Sequence, residues 1–366
     1  MEMELNRASY ENKTTNVDLA QNYDSYDGVE DEKENSWGSF ADSSFVLALY
    51  GVICVVGIAG NLLVCVVLLR VPSQRSNTSD FLVHLSIVDF LVCLLVIPSK
   101  LVPPSETPVP NPGFFGEVWC RLYGGQYLFY VCMLVSVLCL VTVNLERFVA
   151  IVYPHKYKVV FTRRNKILII AVCWFWGAVS KFFILFLFDE DVEHGCGFMG
   201  WPNPTVRAAV GLYTFIIQLP LPFTLMIVAQ WKVILTLKKQ VRMLAGPTGS
   251  STLNPADQHK MWQLRTTQTL IKTLLTFVIT FAVCWTPVQL VFLVFNFGVY
   301  VDFSSPVYHV GIILAVCNSC VNPIIYTLTN QRFRKGIREA FCPRGKSTRV
   351  GDRSTEIVSL SLNTNR

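Results

Sequence analysis

The chain has 366 residues, 52% of them hydrophobic and only 15% charged, with a mean hydropathy of +0.43. Ordinary globular domains carry about 25% charged residues, so the composition excludes a soluble enzyme. The formal net charge of +6 would suit a nucleic-acid partner, but the bases sit at the edges of apolar blocks, where they suit a membrane surface, and no nucleic-acid partner is expected.

The chain opens on an acidic arm, with 11 acids against 3 bases in residues 1–44. Met1-Glu2-Met3-Glu4 has neither the basic start nor the apolar stretch of a cleavable signal peptide, so the first apolar block is expected to serve as its own insertion signal. Asn12-Lys13-Thr14 is a glycosylation sequon. Tyr23-Asp24 and Tyr26-Asp27 resemble tyrosine sulfation sites.

Seven apolar blocks follow: Phe45 to Leu69, Phe81 to Val102, Tyr123 to Val152, Ile167 to Phe188, Val206 to Leu237, Leu274 to Phe297 and Val307 to Leu328. Each can cross a ~30 Å hydrocarbon core, which needs roughly 20 helical residues. Within lipid every backbone polar group must pair inside its own segment, so the blocks are predicted as helices. None shows the period-2 alternation of a membrane barrel. The predicted fold is an all-α integral membrane protein: a disordered arm over 1–44, a seven-transmembrane bundle over 45–328, a surface helix over 329–342 and a disordered tail over 343–366.

Charge sets the orientation. The segments after spans 1, 3, 5 and 7 carry Arg70 and Arg75, then Lys156, Lys158, Arg163, Arg164 and Lys166, then Lys238, Lys239 and Arg242, then Arg334, Lys335 and Arg338. With seven spans these segments share one side, and the positive-inside rule makes it cytosolic. The N-terminus is expected outside and the C-terminus inside, in the plasma membrane. By that layout Asn77-Thr78-Ser79 is a sequon on the wrong side for modification. Nine of the 12 cysteines lie within the spans, where a thiol behaves as a small apolar group. Cys120 and Cys196 alone fall on the oxidising face, which predicts one bridge tying the top of span 3 to the loop after span 4.

From here the residues resemble a known family. Over residues 45–342 the chain carries Gly60-Asn61, Leu85-Ser86-Ile87-Val88-Asp89, Leu145-Glu146-Arg147-Phe148, Trp174, Pro222, Cys284-Trp285-Thr286-Pro287 and Asn322-Pro323-Ile324-Ile325-Tyr326, with Phe333 beyond. Their order is similar to that of the class A, rhodopsin-like G-protein-coupled receptors. The resemblance implies a receptor that catalyses no bond chemistry and activates a heterotrimeric G protein, with arrestin and receptor kinases as further partners.

It also implies roles for particular residues. Asp89 is an acid in the middle of an apolar span, where an unpaired charge is costly. It reads either as a hydrogen-bonded structural residue or, with Ser136, Asn318, Ser319 and Asn322, as an oxygen-rich site that binds Na⁺ and water. Glu146 and Arg147 read either as an interfacial ion pair or as a switch in which Arg147 turns toward the G protein. Where many relatives hold Arg147 with an acid in span 6 this chain has Thr267, so a looser resting state is expected. Pro222, Pro287 and Pro323 each remove a helix hydrogen bond. They are packing kinks or, for Pro287 with Phe281 and Trp285 and for Pro323 with Tyr326, parts of a hinge. Two departures stand out. Gln230 replaces a tyrosine usual in span 5, and Cys120 lies two residues further from Arg147 than is typical, which predicts a bulge near Gly124-Gly125.

After the spans, Phe333, Ile337 and Phe341 share one face of a basic amphipathic segment that should lie on membrane lipid. Cys342 reads as a palmitoylation site or a free thiol. Span 7 has no lysine, which rules out a retinal Schiff base, and the residue where amine receptors keep an aspartate is Phe129. The acidic arm and Asp189-Glu190-Asp191-Val192-Glu193 favour a basic peptide steered by charge, although such an arm also serves solubility alone. A lipid or other small ligand is the alternative within the family, and a transporter the alternative outside it. The expected pocket comprises Gln126, Phe129, Tyr130, Gln218, Trp285, Gln289, Phe292 and Asn296, with His309 at its rim. Lys181 interrupts span 4 with no assigned role.

Overall fold

A computed structural model of the chain describes residues 43–74, 79–102, 113–191, 195–245, 255–303 and 305–341. Asn12, Tyr23, Tyr26, Glu193, Cys342, most of the acidic arm and the whole tail lie outside the described residues, as do the side chains of Glu190 and Asp191.

The helices are α1 (Ser44–Arg70), α2 (Ser79–Val96, extended by a wide turn over Ile97–Leu101), α3 (Phe114–Trp119, extended likewise over Cys120–Gly124), α4 (Tyr127–Val152), α5 (Pro154–Val160), α6 (Arg163–Lys181), α7 (Pro204–Gln218), α8 (Pro220–Ala245), α9 (Pro255–Asn296), α10 (Pro306–Thr329) and α11 (Gln331–Phe341). A two-stranded antiparallel hairpin, β1 (Phe188–Asp191) and β2 (Gly195–Phe198), follows α6. Among the described residues seven helical runs are long and apolar enough to cross a membrane. The sequence places caps where several of them begin. The hydroxyls of Ser43 and Ser305 and the amide of Asn203 accept backbone N–H bonds at the starts of α1, α10 and α7. Pro204 and Pro306 follow two of these caps at the position that needs no donor.

The run α3–α4 is the most enclosed span, with 67% of its most apolar window buried. It touches α2, α6 and α8, while α9 packs on α7, α8 and α10, and α10 returns to α1. The outer faces stay apolar: Val55, Phe175, Trp231 and Leu328 are exposed, as a lipid-facing surface requires. Close approach of α1 to α10 depends on Gly60, where a Cβ would come within 2.9 Å of Pro323.

Several boundaries differ from those expected: the helix of span 5 runs on to Ala245 and that of span 6 begins at Pro255, and four further differences have a visible cause. Span 3 begins at Phe114, nine residues before Tyr123, and the bulge is a wide turn ending at Gly124 followed by Gln126 in the left-handed region at φ 53°. The hairpin explains it. A Cβ on Gly124 would lie 2.9 Å from Cys196 Sγ, and one on Gly125 would lie 2.9 Å from the Phe188 ring. The α-helical part of span 4 stops at Lys181, and the run continues as a tighter 3-10 turn to Phe186 before the chain enters β1 at Phe188. Span 5 breaks at Leu219, not around Pro222. Pro220 has no N–H to donate and its ring disfavours helical geometry at the residue before it. Finally, α10 ends at Asn330, whose side chain accepts from Phe333 N, so the surface helix starts at Gln331. Phe333 is buried against the bundle while Phe341 is exposed.

Candidate functional site

Three features are stacked along the bundle. The outermost is a cavity of about 320 Å³ beneath the hairpin. The disulfide Cys120–Cys196 joins α3 to β2 with 5.3 Å between the Cα atoms, and so pins the hairpin over α4. Phe188 and Phe198 stack edge to face, 5.5 Å between ring centroids, and both line the cavity from above. Glu117 and Asp189 both pair with Arg121, at 2.6 and 3.4 Å, so these two acids of the rim share one counterion.

The lining brings together Gln126, Phe129, Tyr130, Gln218, Trp285, Gln289, Phe292 and Asn296. His309 is not among the lining residues; its neighbour Tyr308 is, with its ring edge-on to Phe292 at 6.1 Å. One residue per 100° of helix separates the two side chains, so a single step in register decides which faces inward. Gly211 lets α7 reach α9, since a Cβ there would meet Asn296 at 2.3 Å. Lys181, left without a role by the sequence, is a wall of this cavity. It is 2% exposed, and its Nζ donates to Gln218 Oε1 at 3.0 Å. Gln289 Nε2 donates to the same oxygen at 3.2 Å. An intramembrane lysine was a visible signal, but nothing in the sequence said which way it points.

Below the cavity floor, Trp285 rests on Phe281 with 6.3 Å between ring centroids. Next comes Asp89, fully buried, with Ser136 Oγ donating to one carboxylate oxygen at 2.6 Å and Asn322 Nδ2 to the other at 2.8 Å. The Ser319 hydroxyl is fully buried and faces the same carboxylate. Asn318 is buried too but bonds neither oxygen of Asp89, since adjacent helix residues point in different directions. Asn61 Nδ2 donates to both Gly57 O and Ser319 O at 2.9 Å, which fastens α1 to this stretch of α10. The set offers one carboxylate with hydroxyl and amide oxygens, a hard-oxygen environment of the kind that suits an alkali cation rather than a transition metal. Sequence reasoning missed His84, which accepts from Trp174 Nε1 at 2.8 Å and lies 3.1 Å from Cys139 Sγ, tying α2, α4 and α6 together.

At the end opposite the hairpin, Arg147 Nε lies 3.1 Å from Glu146 Oε2. Glu146 is fully buried and also accepts from Tyr157 Oη at 2.5 Å, a contact supplied by the short helix α5. Gln230 Nε2 donates to Asn144 Oδ1 at 2.5 Å, holding α8 to α4, while its own Oε1 is buried without a partner. Tyr326 is buried between Phe277 and Phe333, at 5.0 and 5.9 Å, and its hydroxyl is likewise unpaired. Thr273 and Thr329 share a 2.9 Å hydrogen bond between α9 and α10.

A lidded cavity above a tryptophan, a buried acid at mid-depth and an arginine held at the far end are all carried on seven apolar runs able to cross a membrane. Residues 60–326 match the family described as 7 transmembrane receptor (rhodopsin family), and the chain belongs to it. Among similar proteins, mouse neuromedin-U receptor 2 is 32% identical over 321 residues, 82% of this chain and 76% of the relative. The RYamide receptor of Drosophila melanogaster is 28% identical over 96% of this chain and 76% of the relative. Mouse galanin receptor type 1 is 27% identical over 85% of each.

Proposed function

We propose that this chain is a plasma-membrane receptor that binds a peptide in the cavity under the hairpin and activates a heterotrimeric G protein through the end that carries Arg147. The observation that carries the reading is the conjunction of a lidded cavity with polar groups converging on Gln218 and relatives named as receptors for neuromedin U, RYamide and galanin. A peptide offers backbone carbonyls and amides to such polar groups and side chains to the aromatic walls.

In this reading the ligand presses on Trp285, and α9 pivots at Pro287, where the missing backbone donor weakens the helix. Arg147 leaves Glu146 and meets the G protein, which binds the opened state preferentially and so shifts an existing equilibrium. Tyr326 and Pro323 accommodate the movement of α10. Asp89, Ser136, Ser319 and Asn322 would hold Na⁺ in the resting state, with Asp89 as the one carboxylate among them. When bound there, the ion would supply positive charge beside Asp89 and so favour the closed bundle.

The hairpin end faces outward and the basic end inward, following the distribution of lysine and arginine. Helix α11 lies on the inner leaflet with Phe341 toward lipid. Asn12 carries glycan, Cys342 a palmitoyl chain, and the serine-rich tail serves kinases and arrestin. Epitope tags at the two termini, probed on intact and permeabilised cells, test the orientation; tags on a common side would refute it. A library of synthetic neuropeptides read by intracellular calcium and cAMP tests the ligand class. Activation by lipids alone would replace the peptide reading with the lipid one.

A further inference from the structure

Two basic side chains, Lys100 and Lys181, line the ligand cavity, and among the described residues neither Asp nor Glu does. Lys181 closes α6, and the negative end of that helix favours a cation there. Its ammonium has three donors, and the structure uses one of them, on Gln218 Oε1 at 3.0 Å. That oxygen also receives Gln289. Two donors therefore share one neutral acceptor, in surroundings made mostly of Phe129, Phe183, Trp285 and other apolar lining. Among the described residues no carboxylate pairs with Lys181 or Lys100, and the rim acids Glu117 and Asp189 are turned to Arg121. A buried ammonium without a counterion is costly, and the cost falls as soon as an anion enters the cavity.

We infer that the cavity receives a carboxylate of the ligand on Lys181 Nζ, with Lys100 as a second cation in the same chamber. This rests on the reading of the cavity as the peptide site and names the chemistry the peptide must bring. The carboxylate comes either from an Asp or Glu side chain or from a free C-terminus. The arrangement also orients the ligand: basic residues stay with the acidic outer segments, and the acidic group goes in.

Three pools of random tetrapeptides built from neutral residues distinguish the sources: one with a free C-terminal carboxylate, one amidated and carrying a single Glu, and one amidated with Gln in its place. The measurement is the thermal unfolding midpoint of the purified full-length receptor in detergent. One of the two acidic pools should raise the midpoint above the neutral pool, and which one does so identifies the carboxylate. Lys181→Met should erase the difference and Lys181→Arg should keep it. Equal stabilisation by all three pools of the wild-type protein overturns the inference, independently of whether Lys181→Met folds. So does a difference that survives in Lys181→Met.

The peptide reading is scored separately. A peptide agonist that lacks any carboxylate and keeps its potency on Lys181→Met cells overturns the anion site and leaves the peptide receptor standing. An acidic agonist should lose roughly 30-fold or more in potency on those cells, the order expected when one partner of a buried charge pair is removed. A screen with no peptide agonist sinks the peptide reading, while the unfolding measurement still decides the carboxylate site.

Discussion

Tyr157 donates to Glu146 at 2.5 Å, so the acid beside Arg147 is held from two sides: by the guanidinium on its own helix and by a hydroxyl from α5. The sequence suggested a loosely held resting state, because Thr267 stands where relatives keep a second acid. The bond from α5 adds a restraint on the buried carboxylate that this comparison did not include.

Removing that restraint should loosen the pair. A hydrogen bond to a charged group contributes about 1.5–3 kcal/mol. Tyr157→Phe is expected to raise agonist-free G-protein signalling several-fold, measured as nucleotide exchange in membranes at matched surface expression. Basal exchange identical to wild type would remove Tyr157 from the switch.

Arg147→Ala should abolish agonist-driven exchange while leaving agonist binding at the cell surface measurable. The residue lies at the opposite end of the bundle from the cavity, so binding and coupling separate. Normal signalling by this variant would mean that Arg147 is only an interfacial charge.

Asp89→Asn removes the single carboxylate of the mid-depth cluster yet preserves its shape. Wild-type receptor should unfold at a higher temperature in sodium chloride than in choline chloride at equal ionic strength, and the variant should not distinguish the two salts. A salt-specific difference retained in Asp89→Asn would place the cation elsewhere.

At Gly124 the argument is steric. A methyl group there would sit 2.9 Å from Cys196 Sγ and 3.0 Å from its Cβ, against a disulfide that cannot swing aside. Overpacking of this kind costs typically 1–3 kcal/mol. Gly124→Ala should therefore lower surface expression and the unfolding temperature. Gly51→Ala, where a Cβ would meet nothing within 4 Å, is the matched control and should have no effect.

Much was legible in the chain itself. Seven apolar blocks of spanning length could only be helices, because lipid offers the backbone no partners. The charges at their ends gave an expected orientation, and two cysteines predicted to share one face predicted the bridge that the structure contains. Asp89, Arg147 and Trp285 stood out because their types are unusual where they occur. Helix ends were less legible: Leu219 and Asn330 end helices through proline geometry and a side-chain cap, which act over one or two residues rather than a whole span.

Only the folded bundle decided which side chains meet. Lys181 and Gln218 are 37 residues apart in the chain and 3.0 Å apart in space. Tyr157 reaches Glu146 because α5 packs against α4, and Tyr308 rather than His309 lines the cavity because of one step in helical register. Apolar periodicity weakens in a membrane helix, since lipid-facing and interior residues are both hydrophobic. The inward face is therefore set by close packing at positions such as Gly60 and Gly211, and by the few buried polar groups that must find one another.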